Sequence, residues 1–527
     1  MKVSKRGGLA VIAMLTAALI AAGCGGGGSK AADAAKSSKV LDLVPKSAIG
    51  YATLDTNFTG DNWKQFNKLA SGFNADFEGV DTQLSESAGK EEVDYAKDVD
   101  PWLGDTGGAA LLSMPNEGDA EFFAWVELDD VKKFEAFAKD DGLKAGDKIG
   151  DYKTLSDPDE DDGVFLAYND DHILLSDKLA VLSKTIKYDG DSITKVDGIG
   201  DAIDEVGADS LGTIVVSGEG VRALVKDNAQ ASSTVGSATQ LKELNAVAVS
   251  FGAEDKGMRV TGYVDSSGKD SPENGSRDVL EGLPANTVFA LGGQNFGGGL
   301  KTLAEDAGKT NPQVQQMIGA GSAALGVDVD DLSKAFADEF ALGLGSTDEG
   351  LGALAGGVTG AAMGGGLGAL DPSALTKALS ITIAFSETGS TKDTLDKLTQ
   401  AAGGFLGASG APKTAKLGDF ETTTISAAGM PVTTASSKDI AAISLGVDVF
   451  ENWGKDSLSS TDAYKDAVKA AGTPGKTAGF MWVDAGRIAT FAGVKSAEDV
   501  KLGGLVGWVE GDKGSAKFSA FMHIDTK

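Results

Sequence analysis

The sequence predicts an α+β fold of two homologous repeats, each a mixed or antiparallel β-sheet with helices and a C-terminal β-hairpin. Three observations predict it. Strand-like and helix-like periodicities follow in the order strand, helix, strand, strand, helix and then paired strands, which suits antiparallel layers and not a doubly wound parallel sheet. The two halves carry matching segments. One cysteine in 527 residues excludes disulfides within the chain, so the fold rests on hydrophobic cores, and more residues are present than one core usually organises.

The first repeat, 40–267, opens with "AIGYATLD" (48–55), rich in strand residues. "NWKQFNKLASGF" (62–73) spaces Trp63, Phe66, Leu69 and Phe73 at helical intervals. "AALLS" and "FFAWVEL" read as a hairpin. "DVKKFEAFAKDDG" (130–142) is an amphipathic helix with an Asp start and a Gly stop. "YKTLSD" and "GVFLAYNDDHILLS" are strands, the second broken by the polar turn "NDD". More helix follows, and "AVAVSFGAEDKGMRVTGYVDS" (246–266) closes the unit as a hairpin.

The second repeat, 279–527, retraces these signals. "LDLVPKSAIGYATLDTNF" (41–58) matches "LEGLPANTVFALGGQNF" (280–296), with Pro45 opposite Pro284. "KIGDYKTL" (148–155) matches "KLGDFETT" (416–423), and "SLGTIVVSGEGVRALV" (210–225) matches "TAGFMWVDAGRIATFA" (477–492), with Arg222 near Arg487. The closing hairpin is "GLVGWVEGDKGSAKFSAFMHID" (504–525). Its turn "GDKG" and the earlier "EDKG" each place Gly for a residue at positive φ. The offset between matches grows from 239 residues (Pro45 to Pro284) to 268 (Gly150 to Gly418), which locates an insertion in the second repeat. The glycine-rich segment 350–370 fills that place, where the first repeat has only "MPNEGDAE". The polar tract "GKDSPENGSRD" (268–278) reads as the linker between the repeats.

The N-terminus predicts a location. Lys2, Lys5 and Arg6 precede an apolar run from Leu9 to Ala22, and small residues lead to Cys24. That run is shorter than the roughly 20 residues of a membrane span, so residues 1–23 read as a cleaved secretory signal. Ile20-Ala21-Ala22-Gly23-Cys24 resembles a bacterial lipobox, although Ala21 departs from the usual leucine. The resemblance implies an acylated Cys24 as first mature residue. Ordinary cleavage after Gly23 would instead leave a free, reactive thiol. Residues 24–39, rich in Gly, Ala, Ser and Lys, read as a flexible tether.

"LVPKSAIGYATLD" and "DYAKDVDPWLGDTGGAALL" (94–112) together resemble domain-of-unknown-function family 3352, a group of secreted and lipid-anchored actinobacterial proteins. The likeness covers the first repeat and, through the duplication, most of the chain, and "PWLGD" is its most specific part. The second repeat has "AFADEF" (335–340) at that place. The resemblance implies an envelope location and a non-enzymatic default, and it carries no catalytic residue.

Charge and chemistry exclude more than they assign. Three of the 47 Lys/Arg lie in the signal, leaving 44 against 77 Asp/Glu. A polyanion would be repelled over most of such a surface, so nucleic-acid binding is excluded. The two histidines, His172 and His523, lie in opposite halves with no nucleophile or orienter nearby in sequence, and read as exposed or edge-strand packing. Two isolated histidines do not make a zinc site. Asp157, Asp159 and Asp161 in "DPDEDDG" have the alternate spacing of a calcium loop, but Gly stands seventh and Tyr168 twelfth, so the stretch reads as a solvated acidic turn. "GLGALA" (350–355) has the outline of a dinucleotide fingerprint without the helix start it needs, and no cofactor is expected. Leu351, Leu354, Val358, Met363, Leu367 and Leu370 lie in a stretch without charge. They are candidates for contact with membrane or partner, or for a loop folded over its own sheet.

The expectation is a non-enzymatic, lipid-anchored extracytoplasmic binding or scaffold protein that meets the membrane through its N-terminal lipid and meets an unknown envelope protein or ligand. The alternatives are a carrier of an apolar ligand, which needs an apolar cavity, and a carboxylate-based hydrolase, which needs two carboxyls facing across a cleft.

Overall fold

The computed structural model describes residues 35–36, 38–71, 79–80, 82, 95–114, 120–156, 164–207, 210–227, 242–268, 272–310, 316, 319–320, 322, 326–347, 379–405, 409–427, 430–446, 449–450, 453–491, 500–512 and 514–526. Cys24, most of the tether, the acidic stretch with Asp157, Asp159 and Asp161, and the segment with Leu351, Leu354, Val358, Met363, Leu367 and Leu370 lie outside them.

Among the described residues the expected α+β class holds: helices flank one sheet of twenty strands. The first half contributes β1 (Gly50–Asp55), β2 (Leu103–Ser113), β3 (Glu121–Leu128), β4 (Lys144–Ala145), β5 (Lys153–Ser156), β6 (Phe165–Tyr168), β7 (His172–Ser176), β8 (Gly212–Ser217), β9 (Leu244–Glu254) and β10 (Gly257–Ser266). The second contributes β11 (Thr287–Gln294), β12 (Glu339–Ser346), β13 (Leu379–Ser386), β14 (Ser409–Leu417), β15 (Phe420–Ala427), β16 (Met430–Ser436), β17 (Ile440–Gly446), β18 (Gly479–Val483), β19 (Val500–Asp512) and β20 (Ser515–Thr526). Pairing is antiparallel throughout. In space the first half runs β4-β5-β6-β7-β3-β2-β1-β8-β9-β10. The sheet continues as β20-β19-β18-β11-β12-β13-β17-β16-β15-β14. The second list is the first in mirror order, strand for strand.

Local devices recur at matching places. Pro45 bridges Ser192 and Pro284 bridges Ser457. Gly150 and Gly418 each turn the chain at φ 58°, where only glycine is unstrained. The loop between β2 and β3 occupies 114–120, and the corresponding connection between β12 and β13 occupies 347–378.

The helices are α1 (Asp61–Ala70), α2 (Val131–Asp140), α3 (Leu179–Ile186), α4 (Ile199–Val206), α5 (Gly218–Asp227), α6 (Asp278–Glu281), α7 (Phe296–Thr310), α8 (Val329–Ala335), α9 (Thr391–Phe405), α10 (Asp462–Ala471) and α11 (Ala485–Phe491). Asp130 caps α2 by accepting from the N–H groups of Lys132 and Lys133 at 3.0 and 3.1 Å, and Gly142 ends it at φ 85°. The first half is filled on both faces. Leu54, Val126, Ile173 and Leu175 lie under Trp63, Tyr95, Trp102 and Phe134 on one side, and Tyr51, Phe123 and Trp125 meet Ile199 and Ile203 of α4 on the other. In the second half, among the described residues, one face is filled around Trp482, Phe480 and Tyr464, and the other holds a cluster around Phe336 and Phe385.

Two details depart from the sequence reading. Gly257 is not at positive φ. The turn consists of Asp255 and Lys256, and Gly257 begins β10, where a Cβ would collide with the Met522 carbonyl of β20. Gly514 does take positive φ, at 93°. The described part of the linker is held on the second half: Asn274 exchanges two hydrogen bonds with Gly511 at 2.9 and 3.0 Å, and Gly275 bridges Thr477. Buried Glu339 of β12 accepts from Ser276 Oγ at 2.8 Å and from the Val279 N–H of α6 at 2.7 Å.

Candidate functional site

The halves meet at β10 and β20. Thr261 stands opposite Ser519, and each is the fifth residue of its strand, so the seam has a local pseudo-twofold. Side chains tie it. Arg259 of β10 pairs with Glu254 and donates to the Ala471 carbonyl at the end of α10, 3.0 Å away, with Trp508 and Phe521 beside its guanidinium. Lys517 of β20 reaches Glu205 of α4 at 3.3 Å, and the Tyr263 hydroxyl bonds Ser515 Oγ at 2.8 Å. Leu69 of α1 packs against Val500, Leu502 and Ile524 of the other half.

At one end of this seam two adjoining hollows of about 550 and 600 Å³ share Asp466, His523 and Asp525. The first is closed by the β9–β10 turn, Glu254 to Lys256, and by Lys469 of α10. The second extends to Asp484, Arg487 and Thr490 around α11 and to Lys501 of β19. His523 is buried on an interior strand, against the expectation of exposure or edge packing, and its Nε2 lies 3.3 Å from Asp525 Oδ1. Space for the ring comes from the β19 bulge between Leu502 and Leu505: a Cβ on Gly503 would sit 2.6 Å from His523 Nδ1.

His523 Nε2 and Asp525 Oδ1 are in contact, but the two are not hydrogen-bonded as a base and its orienter in a nucleophilic site would be. The one side-chain hydroxyl among the lining residues is Thr490 Oγ1, which donates to the Gly486 carbonyl one turn back at 2.8 Å. The cleft therefore presents fixed charge of both signs, with carboxylates in the majority.

His172, the other histidine, is buried in β7 between β3 and β6. Burial pushes its imidazole down to about 4, and burial, with Asp171 and Asp151 nearby, pushes the Tyr152 phenol up to about 12. Both groups are neutral near pH 7, and the Tyr152 hydroxyl and His172 Nε2 share a short hydrogen bond. Both histidines were misread because flanking sequence carries no sign of which strands lie inside the sheet.

A third hollow of about 410 Å³ lies between α9 and strands β14 to β16, lined by threonines and by Asp396 and Glu421. Its Asp396 is paired with Lys392 at 2.8 Å. No group of three or more His, Cys, Asp or Glu among the described residues has metal-binding geometry.

A family model described as a protein of unknown function, DUF3352, matches residues 8–496. The chain belongs to that family. This DUF3352 chain is also similar to solved structures of TP0453. Crystal form III is 11% identical with a TM-score of 0.24, the likeness covering 43% of this chain and 80% of that one. Crystal form I is 12% identical at the same TM-score, covering 43% and 79%. Among curated proteins none matches. No described helix is long and apolar enough to cross a membrane.

Proposed function

We propose that this DUF3352 chain is a non-enzymatic binding or scaffold protein, lipid-anchored through Cys24 on the outer face of the cell membrane, and built from two copies of one α+β unit. The observation that carries the reading is the seam. One strand order occurs twice, joins edge to edge through β10 and β20, and leaves a charged cleft where the copies meet. A platform bonded across its middle suits holding a partner. The matched devices at Pro45 and Pro284, and at Gly150 and Gly418, support the duplication. The signal-like N-terminus and the placement of the lone Cys24 support the anchor. An apolar-ligand carrier is less well supported, since the three hollows described above are lined largely by charged and hydroxyl side chains.

Two measurements test the proposal. The intact mass of protein extracted from membranes should show Cys24 as a diacylated N-terminus, and an unmodified thiol or release into the medium would remove the anchor. Amine-reactive crosslinking in intact cells should capture a partner through Lys469 or Lys501. Persistence of the same adduct in the Lys469→Ala, Lys501→Ala double variant would remove the cleft from the binding role.

A further inference from the structure

The hollow between α9 and strands β14 to β16 has a counterpart in the first half, beneath α2, which lies between β3 and β4 as α9 lies between β13 and β14. The register fixes the match. Leu155 pairs with Leu166 and Leu166 with Leu175, as Thr423 pairs with Thr434 and Thr434 with Ile443. Lys153 pairs with Tyr168 as Glu421 pairs with Ser436. Leu155 follows the turn glycine Gly150, and Thr423 follows Gly418, by the same five residues. In the first half Leu155, Leu166 and Tyr168 belong to a core cluster with Phe134 of α2, and the Tyr168 and Phe134 rings are 5.1 Å apart. In the second half those three places hold Thr423, Thr434 and Ser436, and the space beneath α9 is a hollow of about 410 Å³. Side chains two apart on a strand share a face, so Glu421 and Thr423, and Thr434 and Ser436, point the same way. Thr414 of β14 extends the row beside Thr423. One copy of the unit thus fills this place with large side chains, and the other lines it with small hydroxyl-bearing ones.

We propose that this hollow binds a neutral polyhydroxylated ligand, a mono- or disaccharide. Ser436 is only 9% exposed and lines the hollow, yet its hydroxyl has no hydrogen-bond partner among the described residues. The hydroxyls of Thr414 and Thr423 have none either. Thr434 Oγ1 donates to the Thr423 carbonyl at 3.3 Å and keeps its lone pairs. A buried hydroxyl is costly unless it is bonded, and a serine or threonine hydroxyl both donates and accepts. A ligand whose own polar groups are hydroxyls meets both needs. Charge narrows the class. Lys392 is paired with Asp396 at 2.8 Å, so one cation against the carboxylates of Asp396 and Glu421 leaves the hollow with a net charge of −1. An anion is disfavoured there, while the free carboxylate of Glu421 at the exposed rim accepts from ligand hydroxyls. Leu395 of α9 offers an apolar wall to the C–H face of a sugar ring. The volume lies within the range of small-molecule sites. This site is separate from the seam cleft and does not depend on an acylated Cys24.

The test is saturation-transfer difference NMR on the full-length chain with glucose, galactose, N-acetylglucosamine, maltose and sorbitol as probes. At least one of them should bind saturably. The double variant Thr423→Leu, Thr434→Leu installs the pair that the first half carries at Leu155 and Leu166. It should abolish the signal while the denaturant midpoint stays at or above that of the wild type. Glu421→Gln changes only an exposed rim residue and leaves the core intact, so it decides the matter if the double variant does not fold. It should weaken binding by about tenfold, the scale of one charge-assisted hydrogen bond. Absence of saturable binding by every probe overturns the proposal. So does binding that is unchanged in a folded variant of either kind, or saturable binding of the cation spermidine where no sugar binds.

Discussion

His172 is neutral because its surroundings are dry, and that makes it a pH-dependent element of stability. Its folded value, about 4, lies below the ordinary 6.5, so the unfolded chain binds the proton more readily. Stability is complete above about 6.5 and falls as the pH drops toward 4, by about 3 kcal/mol for a shift of this size. Urea midpoints measured between pH 7.5 and 4.5 should show this loss, and His172→Gln should flatten that part of the profile. Glu339 is a residue of the opposite kind. Burial holds its carboxyl above the usual range despite its hydrogen bonds to Ser276 and to the N–H groups of Val279 and Leu280. Glu339→Ala strands those donors at the start of α6 and should cost about 1–3 kcal/mol in denaturant unfolding.

At the scale of elements, the sequence carried much of the fold. Period-3.6 spacing of Trp63, Phe66 and Leu69 became α1, the Asp130 cap opened α2, and "NDD" became the turn between β6 and β7. These are local effects, set within a turn or two of the chain. The seam cleft was not legible, because it gathers residues from the β9–β10 turn, α10, α11, β19 and β20, and no local pattern joins Lys256 to Asp466. The β19 bulge was equally hidden. Gly503 and Gly504 look like strand-weakening residues, yet a Cβ at Gly504 would run into the Trp482 ring. Gly504→Ala should therefore destabilise the fold by about 1–3 kcal/mol through overpacking, measured by chemical denaturation.

Across the whole molecule, the seam makes each half depend on the other. Residues 40–267 produced alone would expose β10 along its length, since β20 is its partner. Light scattering should find that fragment self-associating, and a strictly monomeric fragment would show that the seam contributes little. Arg259→Ala removes the pairing with Glu254 and the bond to Ala471, and should lower the unfolding midpoint while leaving the spectrum of each half native. The strand order has an outward side as well. A sheet of twenty strands has two margins, and here they are β4, two residues long, and β14, which presents Pro412, Lys413 and Lys416 to solvent. A strand this short offers little template, and proline and lysine on the other margin resist an incoming strand. Both features oppose edge-to-edge polymerisation. Substituting valine at Pro412, Lys413 and Lys416 should allow growth into fibrils, visible as thioflavin fluorescence at concentrations where the natural chain stays clear.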